Sequence, residues 1–114
     1  MRLLCHGEIL IAAVEVADSF SQRSRGLLGR NGLAPGTALW LKPCGCIHTF
    51  GMRFPLDLLF LDRQGVVVRW VRAVAPGRMV FGGWRAHSVL EMEAGWLTSE
   101  RIRPGDRLTE DSAA

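Results

Sequence analysis

Residues 44–57 read CGCIHTFGMRFPLD and gather two cysteines, a histidine, a threonine, a methionine, an arginine and an aspartate into one short stretch. Cys44, Cys46 and His48 alternate, so on extended backbone their side chains share one face. Thiolate and imidazole suit zinc. Donors in line along a strand, however, sit roughly 6.5 Å apart and converge on a tetrahedral ion only across a sharp turn, here at Gly45. No second cysteine pair completes the spacing of a structural site, so zinc on Cys44, Cys46 and His48 is a secondary reading. The C-x-C spacing permits a strained disulfide, but redox motifs of the thioredoxin kind use C-x-x-C at a helix start. Cys46, His48 and Asp57 supply the residue types of a nucleophile, a base and an orienting acid. A metal- or thiol-dependent hydrolase centred on Cys46 and His48 is therefore the alternative function; catalytic groups more often converge from separate elements.

Asp57 and Glu91 both lie inside apolar runs and are the residue types of a carboxylate pair. A carboxylate in such a setting must find partners or shift its pKa. The simpler expectation has Asp57 accepting backbone hydrogen bonds that cap the 48–54 turn, and Glu91 pairing with Arg53 or Arg23. Trp84, in the glycine-rich run FGGWR, is an aromatic expected at the surface beside arginine, suited to contact with a ligand or a protein. The leading function is a non-enzymatic binding module built on the 44–57 and 76–85 loops. Its ligand-binding residues are His48, Thr49, Met52, Arg53, Asp57, Trp84 and Glu91, and its ligand is an anionic small molecule or a peptide.

The 114 residues suit one domain over 1–110 with a frayed tail at 111–114. Formal net charge is only +3, and the basic residues spread along the chain, which argues against a nucleic-acid partner. The opening MRLLCHGEILIAAVEVADS is interrupted by His6, Gly7, Glu8 and Glu15, too soon for a signal peptide or a membrane span. Three cysteines are too few for a disulfide scaffold, and a cytoplasmic location is the expectation.

The elements that must hold these residues are mostly strands. Strands are expected at 2–5, 8–16, 37–41, 56–61, 66–74, 89–92 and 107–108, with 56–61 and 66–74 forming a hairpin about the turn chemistry of Asp62 to Gly65. Ser19 and Gln22 have the spacing of a capping box, which starts a short helix over 23–28 with Phe20, Leu27 and Leu28 inward. Residues 94–102 suit one or two helical turns, and 44–55 and 75–85 read as loops. The fold class is α+β and mostly β: a compact domain with a small curved antiparallel sheet or half-barrel and one or two short helices.

Three stretches taken in order carry a resemblance. They are RSRGLL at 23–28, PLDLLFLD at 55–62 with Gly65-Val66-Val67, and Val89-Leu90-Glu91 with Ala94-Gly95 and Pro104-Gly105-Asp106. The chain resembles the DUF192 (UPF0127) family, small prokaryotic proteins of unassigned function, from about Val14 to Leu108. The resemblance implies a mostly-β fold with a short helix after the first strands. Many members carry Trp-Met-Lys-Asn-Thr just before the Pro-Leu-Asp; here His48-Thr49-Phe50-Gly51-Met52 stands in its place.

Overall fold

A computed structural model describes residues 1–111, which form ten strands and one helix. In chain order these are β1 (Arg2–Cys5), β2 (Glu8–Ile11), β3 (Ala13–Ala17), α1 (Phe20–Arg25), β4 (Thr37–Leu41), β5 (Cys46–His48), β6 (Leu56–Leu61), β7 (Val67–Val74), β8 (Met79–Phe81), β9 (Ser88–Glu93) and β10 (Leu108–Asp111). No helix among them is long and apolar enough to cross a membrane. The sequence LDLLFL of β6 is buried at every position, so this strand needs cover on both faces. It receives it near the middle of a five-stranded sheet ordered β3-β4-β9-β6-β7.

Side-chain alternation then sorts the core into two halves. Leu59, Leu61, Leu90 and Met92 point to one face and pack against Leu3, Ile11 and Leu108 of the small sheet β10-β1-β2, and against Leu97 and Ile102. Leu56, Leu58, Phe60 and Val89 point to the other face, where Leu27 and the inward residues Ile47 and Val80 of the ribbon β5-β8 cover them. Each fully buried leucine contributes roughly 1.5–3 kcal/mol of transfer free energy, so both covers are needed to hold the central sheet.

The mostly-β expectation is met, with three sheets, none closed into a barrel. Several details differ from the sequence reading. The central sheet is mixed, because β3 pairs with β4 in parallel. The run 8–16 is not one strand: the chain bends at Ala12, since β2 pairs with β1 and β3 with β4 in different sheets. The two expected loops each contain a strand, β5 and β8, hidden by their glycine- and proline-rich flanks. Residues 94–102 are turns without a helix. The tail expected at 111–114 lies outside the described residues except for Asp111, which with Glu110 belongs to β10 opposite Arg2 and Leu3.

The helix runs over Phe20–Arg25, three residues earlier than the expected 23–28, because Ser19 is its N-cap. The Ser19 hydroxyl accepts the Gln22 backbone N–H at 3.1 Å, and the Gln22 side-chain Oε1 accepts the Ser19 N–H at 3.2 Å. It spans six residues and none of them is buried, with Phe20 turned outward at 79% exposure. So short a helix depends on its cap. Ser19→Ala is expected to lower global stability by only about 0.5–1 kcal/mol in urea denaturation, while amide exchange over 20–25 accelerates about fivefold, by the usual worth of a cap at about 1 kcal/mol.

Candidate functional site

Glu91 is the polar exception in an apolar row. The register sets it between Leu39 of β4 and Leu58 of β6, and residues in register share a face. Glu91 is 5% exposed, and no hydrogen bond or ion pair to its carboxyl is found among the described residues. Burial pushes its pKa from the ordinary 4.5 up to about 7, against the weaker opposing field of the Arg30 guanidinium. The expected pairing with Arg53 or Arg23 is not made. Arg53 donates to the Asn31 side chain at 2.9 Å and Arg23 to the Asp18 carbonyl at 2.7 Å.

The Glu91 carboxyl borders an open cleft of about 330 Å³ between α1 and β5. Leu27, Leu28, Leu41, Ile47 and Met52 form its apolar walls. Arg23 and Arg25 from the helix, and Cys44, Cys46 and His48 from the other side, supply its polar edge. The arginines, Phe20 and the two leucines of α1 and its exit were missed as site residues. The capping box fixed the helix, and RSRGLL carried the family resemblance, but nothing local in sequence says that this helix faces Glu91.

Of the residues expected to bind, His48, Met52 and Glu91 meet at this cleft. Thr49 does not line it and is fully buried. Its hydroxyl donates to the Ala75 carbonyl at 2.7 Å and accepts the Arg78 N–H at 2.9 Å, pinning the turn after β5 to the approach of β8. Asp57 is fully buried on the opposite face of the sheet, in register with Met92. It accepts three backbone N–H groups, from Ala73 at 2.8 Å, Gly95 at 3.0 Å and Leu97 at 2.8 Å. Backbone acceptance was expected of Asp57, but from the 48–54 turn, and its place one residue out of phase with Glu91's neighbour Leu58 rules out a carboxylate pair. Arg53 is held by Asn31, and Trp84 stands away from the cleft at 95% exposure, edge-on to Phe81 at 5.4 Å.

Cys44, Cys46 and His48 are not gathered into a donor set. The Cys44 thiol donates to the Cys46 carbonyl at 3.3 Å, and the His48 ring stacks on Phe50 at 5.4 Å. Burial, with Glu91 and Cys46 close by, pushes the Cys44 thiol up, opposed by that hydrogen bond and by Arg23. A thiol held protonated is a poor nucleophile. Cys46 and His48 share the outer face of the ribbon with Phe81 and Met79, their partners in register.

The DUF192 family model, described as an uncharacterized ACR, matches residues 3–110. No curated protein matches the chain. Among solved structures, a protein of unknown function from Novosphingobium aromaticivorans DSM 12444 superposes with a TM-score of 0.77 at 20% identity, over 85% of this chain and 74% of that one, which is a likeness of fold. A protein from Sinorhizobium meliloti 1021, provisionally labelled a transcription regulator, superposes with a TM-score of 0.79 at 25% identity, over 95% of this chain and 89% of that one.

Proposed function

The chain belongs to the DUF192 family, and from that premise we propose that it is a non-enzymatic binding module whose cleft between α1 and β5 takes the carboxylate of a small acid or a peptide. The observation that carries this reading is the Glu91 carboxyl, buried at the wall of an apolar cleft without a partner among the described residues and pushed up to about 7. A protonated carboxyl is a hydrogen-bond donor, and a ligand carboxylate or carbonyl is the acceptor it lacks. Arg23 and Arg25 at the edge favour an anion and disfavour a cationic ligand. The apolar walls suit the body of an aliphatic or aromatic acid. Catalysis centred on Cys46 and His48 is the weaker account, because His48 stacks on Phe50 and Asp57, the orienting acid it would need, is buried against backbone donors on the opposite face of the sheet. The transcription-regulator label of the Sinorhizobium protein is not carried over, since a formal net charge of +3 spread along the chain supplies no basic face for nucleic acid.

The test is a thermal-shift panel of aliphatic and aromatic monocarboxylates and N-acetyl dipeptides, at about pH 5.5 and about pH 8.5, chosen to bracket the Glu91 pKa. Stabilisation is expected at the lower pH and is lost at the higher, where Glu91 is charged. Glu91→Gln, a neutral donor of the same shape, is expected to bind equally at both. The ligand-free chain carries its own signature. The folded pKa of Glu91 lies above the unfolded 4.5, so the native state holds the proton more tightly. The contribution of Glu91 to stability is therefore fully present below about 4.5, is lost as pH rises through about 7 to the extent of roughly 3 kcal/mol, and then stays constant. Glu91→Gln is expected to lack that fall. Failure of every acid at both pH values sinks the carboxylate reading, whatever the ligand-free curves show.

A further inference from the structure

A second cluster of chemistry-bearing side chains lies at one end of the small sheet, among residues the cleft does not use. The Cys5 Sγ, an imidazole nitrogen of His6 and a carboxylate oxygen of Asp106 all lie within 4.8 Å of one another. We propose that Cys5, His6 and Asp106 form a binding site for a zinc-type divalent transition metal, with its fourth coordination position open to solvent.

The backbone explains how the three meet. Neighbouring residues on an extended strand point to opposite faces, so Cys5 and His6 would ordinarily diverge. His6 instead has a φ of +53°, rare for a residue other than glycine, and this carries its ring round towards the Cys5 thiol in the β1–β2 turn. Asp106 arrives from the far end of the sequence because Cys5 pairs with Leu108, two positions beyond it. Its place is fixed on both sides: its carbonyl accepts the Val67 N–H at 2.8 Å, and its Oδ2 accepts the Arg103 N–H at 2.9 Å. That second bond leaves Oδ1 facing the His6 Nε2 at 3.4 Å and orients the carboxylate as supporting partners of metal ligands do.

Metal–ligand distances of about 2.0–2.3 Å place tetrahedral donors about 3.3–3.8 Å apart. The His6–Asp106 separation already falls there. The Cys5 sulfur lies within 4.8 Å of both, a gap of about 1 Å or more to close by small side-chain adjustments, for which His6, with its side chain 79% exposed, has room. Cys5 is buried in the core, which supplies an anchored ligand and a dry side to the site. One thiolate, one imidazole and one carboxylate select zinc, cobalt or ferrous iron over magnesium or calcium, which take oxygen ligands. Three protein ligands with solvent at the fourth position are the pattern of a reactive site, not of a closed structural one.

Full-length protein, purified under reducing conditions and stripped with chelator, is titrated with Co²⁺ alone and then competed with Zn²⁺. One equivalent of Co²⁺ is expected, with a thiolate-to-metal charge-transfer band that Zn²⁺ abolishes. His6→Asn keeps a residue that tolerates positive φ, and Asp106→Asn keeps the acceptor for Arg103, so both are expected to fold. Each is expected to weaken binding at least about 10- to 100-fold, while the Cys44→Ser, Cys46→Ser double variant binds as the wild type does. Three results overturn the proposal: a folded wild type that takes up no stoichiometric metal, uptake unchanged in both variants, or uptake lost only with Cys44 and Cys46. In each of these His6 and Asp106 are no more than an ion pair closing two turns.

Discussion

Asp57→Ala is expected to lower the unfolding free energy by on the order of 3–6 kcal/mol, much of the stability a domain of this size possesses. The side chain is fully buried and gathers three backbone donors, a buried one from Leu97 and half-buried ones from Ala73 and Gly95. Each orphaned donor costs roughly 1–3 kcal/mol. The three belong to different parts of the chain, the end of β7 at Ala73 and the turn after β9 at Gly95 and Leu97. Ala73 itself has a φ of +53°, a strained conformation that the bond to Asp57 helps hold. Asp57→Asn keeps the shape but turns an amide donor towards backbone donors, so it should fall between the wild type and Asp57→Ala. Urea denaturation followed by circular dichroism decides the matter. An Asp57→Ala protein within about 1 kcal/mol of wild type is incompatible with this account of the buried carboxylate.

The second large effect is expected at Gly82, which lies directly on the Phe60 ring. A Cβ at this position would meet ring carbons of Phe60 at 2.2, 2.6 and 2.7 Å. Phe60 is fully buried in the middle of β6 and has nowhere to move. Gly82→Ala must therefore lift the ribbon off the sheet, breaking the bond from the Gly82 N–H to the Gly45 carbonyl. A loss of about 2–4 kcal/mol is expected, at or above the usual range for overpacking. The lift should also loosen Cys46 and His48 at the cleft edge. Amide exchange that accelerates more in β5 and β8 than in the central sheet is the signature to measure; an equal acceleration everywhere would place the clash elsewhere.

What could be read from the sequence follows the range of the forces involved. The capping box at Ser19 and the β6–β7 hairpin are set by neighbours within a few positions, and both were read from their residues. The ribbon was not, because three-residue strands take their identity from a partner more than thirty positions away. Residues 8–16 look like one strand by composition, and only the competition between two sheets breaks them at Ala12. The candidate site divides in the same way. His48, Met52 and Glu91 were named from residue type and do reach the cleft. Thr49 and Asp57 were named on the same grounds and serve the backbone instead, Thr49 in the turn after β5 and Asp57 on the far face of β6. Cys5, His6 and Asp106 carried no local signal, since the pairing that brings them together joins the two ends of the described chain.

That same pairing orders events during synthesis. The hairpin of β1 and β2 is the first part of the fold to leave the ribosome, yet β10, its other neighbour, is among the last. Until then Leu3 and Ile11 lack Leu108, and the central sheet lacks a finished cover on one face. Loop-closure entropy disfavours the pairing until the whole intervening chain has condensed. The nascent domain thus carries a sticky, half-clothed surface while nearly all of its own residues are being made, the state in which a chaperone has most to offer it.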